Sequence, residues 1–288
     1  MASSKVLCAG IVVADHVSTP IDHLPAAGEL VRADDLILTI GGCASNVAVD
    51  LARMNVDATV VGRVGEDVFG RVVTEMLQEQ GVDVSGLKVT SDLGTSQTLI
   101  VNVKGEDRRF IHSFGANAHF TADDIPLSLI QSAEILYVGG YLVMPALTQE
   151  ALANVFAQAK QFNVQTILDV VVPGPGGHLS QVEKLLPHVD YFLPNNDEAK
   201  LILDESDPLN QARAFRGLGV GTCIVTLGSD GAIVVSEQES LRCDAFDVDY
   251  VDGSGGGDAC SACLMAVLVE GLDLREALRW ASAPGASF

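Results

Sequence analysis

The chain has 288 residues, of which 48% are hydrophobic and 19% charged, a balance that folds around a core and excludes a disordered chain. Against 38 Asp and Glu stand 17 Lys and Arg, for a formal net charge of -21, which excludes general binding to nucleic-acid phosphates and to anionic membrane surfaces. An anionic small molecule must therefore be held by local devices such as helix N-termini, backbone N–H groups and a divalent cation.

Met1–Ala9 lacks the basic-then-apolar pattern of a secretory leader. No apolar run reaches the roughly 18 residues of a membrane span. The six cysteines, Cys8, Cys43, Cys223, Cys243, Cys260 and Cys263, are scattered and read as buried thiols of a cytoplasmic protein rather than a disulfide framework.

In chain order, the first expected strand is Lys5–Val12, running into Gly10-Ile11-Val12-Val13-Ala14-Asp15 with no dinucleotide fingerprint. Ser18–Ile40 breaks the pattern, with mixed polar and apolar residues over Glu29–Ile40. Two glycines, Gly41 and Gly42, then precede a helix over Ala44–Met54, with Ala44, Val47, Ala48 and Leu51 on one face. Asn46 falls in its first turn, where its amide either caps local backbone or binds hydroxyls as both donor and acceptor.

A strand over Ala58–Gly62 and a helix over Phe69–Gln80 follow. Gln97–Val103 and Arg108–Phe114 flank Lys104-Gly105-Glu106-Asp107 and read as a hairpin. Phe110, His112 and Phe114 either face a ligand or pack that hairpin, and His119 stands apart. Strands over Glu134–Gly139, Val164–Asp169, Tyr191–Leu193 and Thr222–Leu227, with helices over Thr148–Phe162 and Glu198–Leu203, complete an alternation that predicts a mostly parallel sheet covered on both faces. The segments at about 13–40 and 96–114 read as a small antiparallel sheet inserted into one α/β domain spanning the chain.

Three motifs lie in the second half. Asn195 and Glu198 have capping-box spacing and also offer hard oxygen ligands for Mg²⁺. Thr226-Leu227-Gly228-Ser229-Asp230-Gly231 turns into a strand over Ala232–Ser236. Val251-Asp252-Gly253-Ser254-Gly255-Gly256-Gly257-Asp258-Ala259 leads into an apolar helix over Asp258–Glu270. Its glycines allow close approach of a ligand, and the helix start favours an anion. Asp258 at that entrance is either an N-cap or a general base. Cys260-Ser261-Ala262-Cys263 lies on the apolar helix and reads as buried thiols rather than a redox pair.

The run Asp252–Ala259 resembles the carboxy-terminal D-T-x-G-A-G-D signature of the ribokinase-like, PfkB-type carbohydrate kinases, with Gly253 and Gly256 in place of Thr and Ala. Gly41-Gly42-Cys43-Ala44-Ser45-Asn46-Val47-Ala48 and Gly62-Arg63-Val64-Gly65-Glu66-Asp67-Val68-Phe69-Gly70 resemble the family's amino-terminal signature. The resemblance implies a three-layer α/β/α sandwich with a small β lid, and ATP- and Mg²⁺-dependent phosphoryl transfer to a sugar hydroxyl. It implies Asp258 as base, Gly255, Gly256 and Gly257 as anion hole, and Asp15, Gly41, Gly42 and Asn46 as the acceptor site. Asn195, Thr226, Gly228 and Gly231 are implied for the nucleotide, Glu198 for Mg²⁺ through water, and Asp252 for a monovalent cation such as K⁺. Asp169 matches the Asp of the family's L-D-x-N segment, and Val171 stands where its Asn would be.

Val13 stands where the family often has Asn, so the acceptor stays open between sugar and nucleoside. In the family, exposed lid strands often pair between subunits, so the resemblance extends to a homodimer through the lid. The final residues, Trp280–Phe288, begin like the family's last helix and then stop, which leaves an impaired sugar- or nucleotide-binding protein as the alternative from another class.

Overall fold

The computed structural model describes residues 5–106, 108–245 and 255–272. The amino-terminal part runs β1 (Val6–Gly10), β2 (Val13–Ser18), β3 (Leu36–Gly41), α1 (Cys43–Arg53), β4 (Ala58–Gly65), α2 (Val68–Glu79), β5 (Asp83–Thr90), β6 (Gln97–Val101) and β7 (Arg109–Ser113). It continues through α3 (Leu127–Ser132), β8 (Ile135–Tyr141), α4 (Gln149–Gln161), β9 (Gln165–Val170), α5 (Leu179–Val182), β10 (Tyr191–Phe192), α6 (Asn196–Leu203) and α7 (Pro208–Gly217). The remaining elements are β11 (Thr222–Thr226), β12 (Ala232–Val235), β13 (Ser240–Cys243) and α8 (Gly256–Val269).

Nine strands form one sheet in the order β13-β12-β11-β10-β9-β8-β1-β4-β5. The pairs from β11 to β5 are parallel, and β12 and β13 add an antiparallel edge. Both faces are covered, so the central strands are mostly buried and mainly apolar. In β1, Leu7 and Ala9 enter one core with α4, α6 and α7, while Val6 and Cys8 enter the other with α1, α2 and α8. The side-chain period of two along a strand produces this split.

Four strands form a second sheet, β3-β2-β6-β7. Its outer pairs are antiparallel and its central pair, β2 with β6, is parallel. Asp15 lies inside β2, within the segment expected to form the small sheet. β1 stops at Gly10, earlier than Val12, because the chain turns there. Gly10 has φ +139, and a Cβ on it would lie 2.0 Å from the Gly139 carbonyl oxygen.

β5, β13 and helices α3, α5 and α7 had no place in the sequence reading. Along β5 exposed, half-buried and buried residues follow one another without a steady period of two, which leaves no clean alternation in the sequence. Helix α7 is opened by Asp207, whose side chain accepts from the Asn210 N–H, with Pro208 at its first position. The helix beginning α8 starts at Gly256 with Gly255 as N-cap at φ 73, so Asp258 is the third helical residue and not the cap.

A buried ion cluster fixes the β4–β5 edge. Asp124 is 1% exposed and takes Arg63 Nε at 2.7 Å and Lys88 Nζ at 2.7 Å. Burial of Asp124 raises its pKa, but the hydrogen bonds from Arg63, Lys88 and the Thr121 N–H outweigh it and hold the group below the usual carboxylate range. Asp124→Asn is expected to cost about 1.5–3 kcal/mol near pH 7, read by urea unfolding. A depressed folded pKa stabilises above the unfolded value of about 3.9 and is lost as pH falls through the folded value. The gap between wild type and variant should therefore narrow in acid; a constant gap down to low pH contradicts the electrostatic account.

Candidate active site

The carboxyl ends of parallel strands are where an open α/β sheet receives its ligands, and the site lies there. A cavity of about 150 Å³ is lined by Cys43 at the start of α1, Asp169 in β9, Asn195 and Glu198 at the start of α6, Thr226 closing β11, and Gly255, Gly257 and Asp258 at the start of α8. Sequence reasoning selected most of these separately, and the fold brings them together from five elements.

Asp258 is joined to the amino-terminal motif directly. Asn46 Nδ2 donates to Asp258 Oδ2 at 2.8 Å across a separation of 212 residues. The Asn46 amide thus faces Asp258 rather than capping its own helix. Burial pushes the Asp258 carboxyl above the ordinary Asp value, opposed by hydrogen bonds from Asn46 and Cys43. Gly255 and Gly257 are exposed, and a Cβ on Gly255, Gly256 or Gly257 would meet nothing within 4 Å among the described residues. Packing does not demand three glycines there. Among the described residues nothing covers the first turn of this 14-residue helix, and a helix start of this kind favours an anion.

On the other side of Asp258 lies Asp15. Its carboxylate sits against Gly41, where a Cβ would come 2.0 Å from Asp15 Oδ2. Gly42, at φ 91, turns the chain from β3 into α1, and a Cβ there would lie 2.5 Å from the Ile11 carbonyl oxygen. Burial raises the Asp15 pKa, the Thr98 hydroxyl and His16 lower it, and the Asp258 charge raises it. The two carboxylates therefore sense one another across the site.

Beneath Asp258 is a second carboxylate, Asp169. Tyr137 Oη donates to Asp169 Oδ2 at 3.0 Å, and ligand atoms of Cys43, Asp169 and Asp258 lie within 4.8 Å of one another. Burial pushes the Asp169 pKa well up, and the Glu198 and Asp258 charges push it further. Glu198 is pushed up to about 7, by burial first, against N–H donors of Asn195 and Val172. The Asp258 charge thus raises the proton affinity of both Asp169 and Glu198, and such crowded carboxylates favour a cation among them. The donor set is mainly oxygen, which fits Mg²⁺ and its retained waters.

The capping box is present: Glu198 N donates to Asn195 Oδ1 at 2.9 Å, and Asn195 N to Glu198 Oε2 at 3.0 Å. Glu198 lines the cavity at the same time, so both readings of this pair hold. Gly228 and Gly231 do not line the cavity. Gly231 has a packing reason to be glycine, because at φ +87 its Cβ would lie 1.9 Å from the Cys243 carbonyl oxygen. Asp252 lies outside the described residues. All six cysteines are free, but Cys43, Cys243 and Cys260 are half-buried rather than buried, and Cys43 and Cys260 line the cavity. Cys43, Tyr137 and Thr98 carried no signal in the sequence. Their importance comes from cross-chain neighbours.

With an open α/β sheet, a bare helix start and paired carboxylates at the strand ends, the site is that of a phosphotransferase fold. The pfkB family carbohydrate kinase pattern matches residues 3–287, and the chain belongs to that family. It is 30% identical over 254 residues to a 2-dehydro-3-deoxygluconokinase of Thermoproteus tenax, covering 86% of this chain and 78% of that protein. It is 26% identical over 282 residues to a ribokinase of Haemophilus influenzae, covering 96% and 89%. The crystal structure of a Thermotoga maritima ribokinase superposes with a TM-score of 0.82 at 26% identity, over 98% of this chain and 91% of that one.

Substituting Gly41→Ala is expected to displace Asp15 and cost about 1–3 kcal/mol through overpacking. Thermal unfolding and acceptor KM should both worsen. An unchanged KM would show that Asp15 does not hold the acceptor.

Proposed function

We propose that this chain transfers the γ-phosphoryl group of ATP to a hydroxyl of a small sugar or sugar-like acceptor, with Asp258 as general base. The observation that carries the reading is the Asn46–Asp258 hydrogen bond at 2.8 Å, which joins the two motif-bearing helix starts at one point. Asp15, Asn46 and the Gly41-Gly42 backbone hold the acceptor. Asp258 takes the proton of the attacking hydroxyl, and its raised pKa keeps it an effective base. The backbone N–H groups of Gly255, Gly256 and Gly257 face the charge that develops on the transferring group. Asn195 and Thr226 approach the nucleotide from the far side of the cavity, with Gly228 and Gly231 in the turn beyond. Glu198, with Asp169 behind it, would hold Mg²⁺ through water, and the ion when bound neutralises phosphate charge.

The small sheet acts as a lid over this cleft. It excludes water and so limits ATP hydrolysis. Its face opposite Asp15 carries Leu36, Leu99 and Ile111, which are 73%, 41% and 67% exposed. This face fits a second copy of the chain, and light scattering of Ile111→Lys against wild type reads that assembly. A nucleoside acceptor is the second reading, favoured by 27% identity over 237 residues to an aminoimidazole riboside kinase of Salmonella typhimurium. An ADP-release screen over sugars, sugar acids and nucleosides with Mg²⁺, with and without K⁺, separates these readings.

Asp258→Asn is expected to fold and bind ATP but to lose roughly 10²–10⁴-fold in kcat; near-normal turnover would remove the base assignment. The base must be ionised, so kcat/KM should fall as pH drops through its pKa, above the ordinary Asp value of about 3.9. Asn46→Ala removes a donor that lowers this pKa, so the acid limb should move to higher pH. A shift to lower pH contradicts the assignment.

A further inference from the structure

A line of hydrogen bonds crosses the small sheet. Directly opposed residues share a face, and the registers Asp15↔Thr39, Asp15↔Thr98 and Thr98↔His112 place four residues of four strands in one row. Thr98 bonds the Asp15 carboxylate, and its Oγ1 lies 3.0 Å from His112 Nδ1. Phe114 packs edge-on against the His112 ring at 5.2 Å, and His112 remains exposed enough for a ligand to reach.

The protons in this line have one consistent arrangement. An ionised carboxylate only accepts, so the single Thr98 O–H points to Asp15. Thr98 Oγ1 must then accept from His112, which places the ring proton on Nδ1 and leaves Nε2 a bare acceptor. Burial pushes the His112 pKa down, which keeps the ring neutral. Two strand spacings, roughly 10 Å, separate Asp15 from His112, so the row reaches well beyond the hydroxyls that Asp15 holds.

We propose that Thr98 and His112 form the outer wall of the acceptor site and select an uncharged polyhydroxylated acceptor, which presents a hydroxyl proton to His112 Nε2 at its end remote from the phosphorylated hydroxyl. This rests on the phosphotransfer reading above. A carboxylate or phosphate at that end brings only acceptor atoms to a bare lone pair, with the Asp15 charge behind it. Arg108 is the basic group nearest in sequence on this face, and its guanidinium lies over the Phe110 ring at 5.7 Å.

The test compares neutral sugars and ribosides with sugar acids and sugar phosphates, using wild type, His112→Phe, His112→Gln and Thr98→Val. The wild type should favour a neutral acceptor by kcat/KM. His112→Phe and Thr98→Val should raise its KM roughly three- to tenfold with little change in kcat, the loss expected for one hydrogen bond. His112→Gln, which keeps an acceptor oxygen, should recover most of it. Preference for an anionic acceptor, or a KM unmoved by His112→Phe, overturns the inference. Calorimetric titration of the same neutral compounds separates it from the phosphotransfer reading. Binding that weakens in His112→Phe without any ADP formation keeps the wall and removes the transfer, whereas no binding of any neutral compound removes the wall.

Discussion

The hydrogen bond between Asn46 and Asp258 sets the constraint on which the site depends. Each residue opens a helix on the same face of the large sheet, and α1 and α8 share one core through Ala44, Val47, Ala48, Ala262 and Met265. A buried carboxylate is costly without donors. Asp258 receives Asn46 on one side and Cys43 on another, so its orientation follows from the packing of two helices. The close approach of β1 to β8 at Gly10 and Gly139, beside the α1 start, helps hold the strand ends in register below it.

The electrostatics follow from that crowding. The Asp258 charge raises the pKa of both Asp169 and Glu198, and Glu198 raises that of Asp169, in a chain of net charge -21. Among the described residues no Lys or Arg lines the cavity. A member of a kinase family would here rely on helix starts and a divalent cation, rather than on basic side chains, to attract a triphosphate. The acidic balance of the sequence and the acidic floor of the site thus state one requirement at two scales.

The sequence was most informative where local chemistry repeats a pattern. The apolar strands Val6–Gly10, Ile135–Tyr141 and Gln165–Val170 and the helices at Cys43–Arg53 and Val68–Glu79 were legible within a few residues, because burial on two faces and helical periodicity leave direct traces. The Asn195–Glu198 box was legible for the same reason. What escaped depends on partners far along the chain. Asp83–Thr90 lacks alternation, and Thr98 and Tyr137 gain their roles from Asp15 and Asp169. The helix start at Gly256 was displaced because Gly255, at positive φ, supplies the cap that an Asp more often provides.

The parallel pairing of β2 with β6 has a consequence for how the molecule assembles. Ala14 meets Gln97 and Val17 meets Ile100, so the middle of the small sheet joins stretches divided by β3, α1, β4, α2 and β5. Ordering such a long intervening stretch precedes any gain from the contact. The row of Asp15, Thr98 and His112 therefore forms only when β6 returns to β2 across that stretch, a non-local pairing of the kind that slows folding.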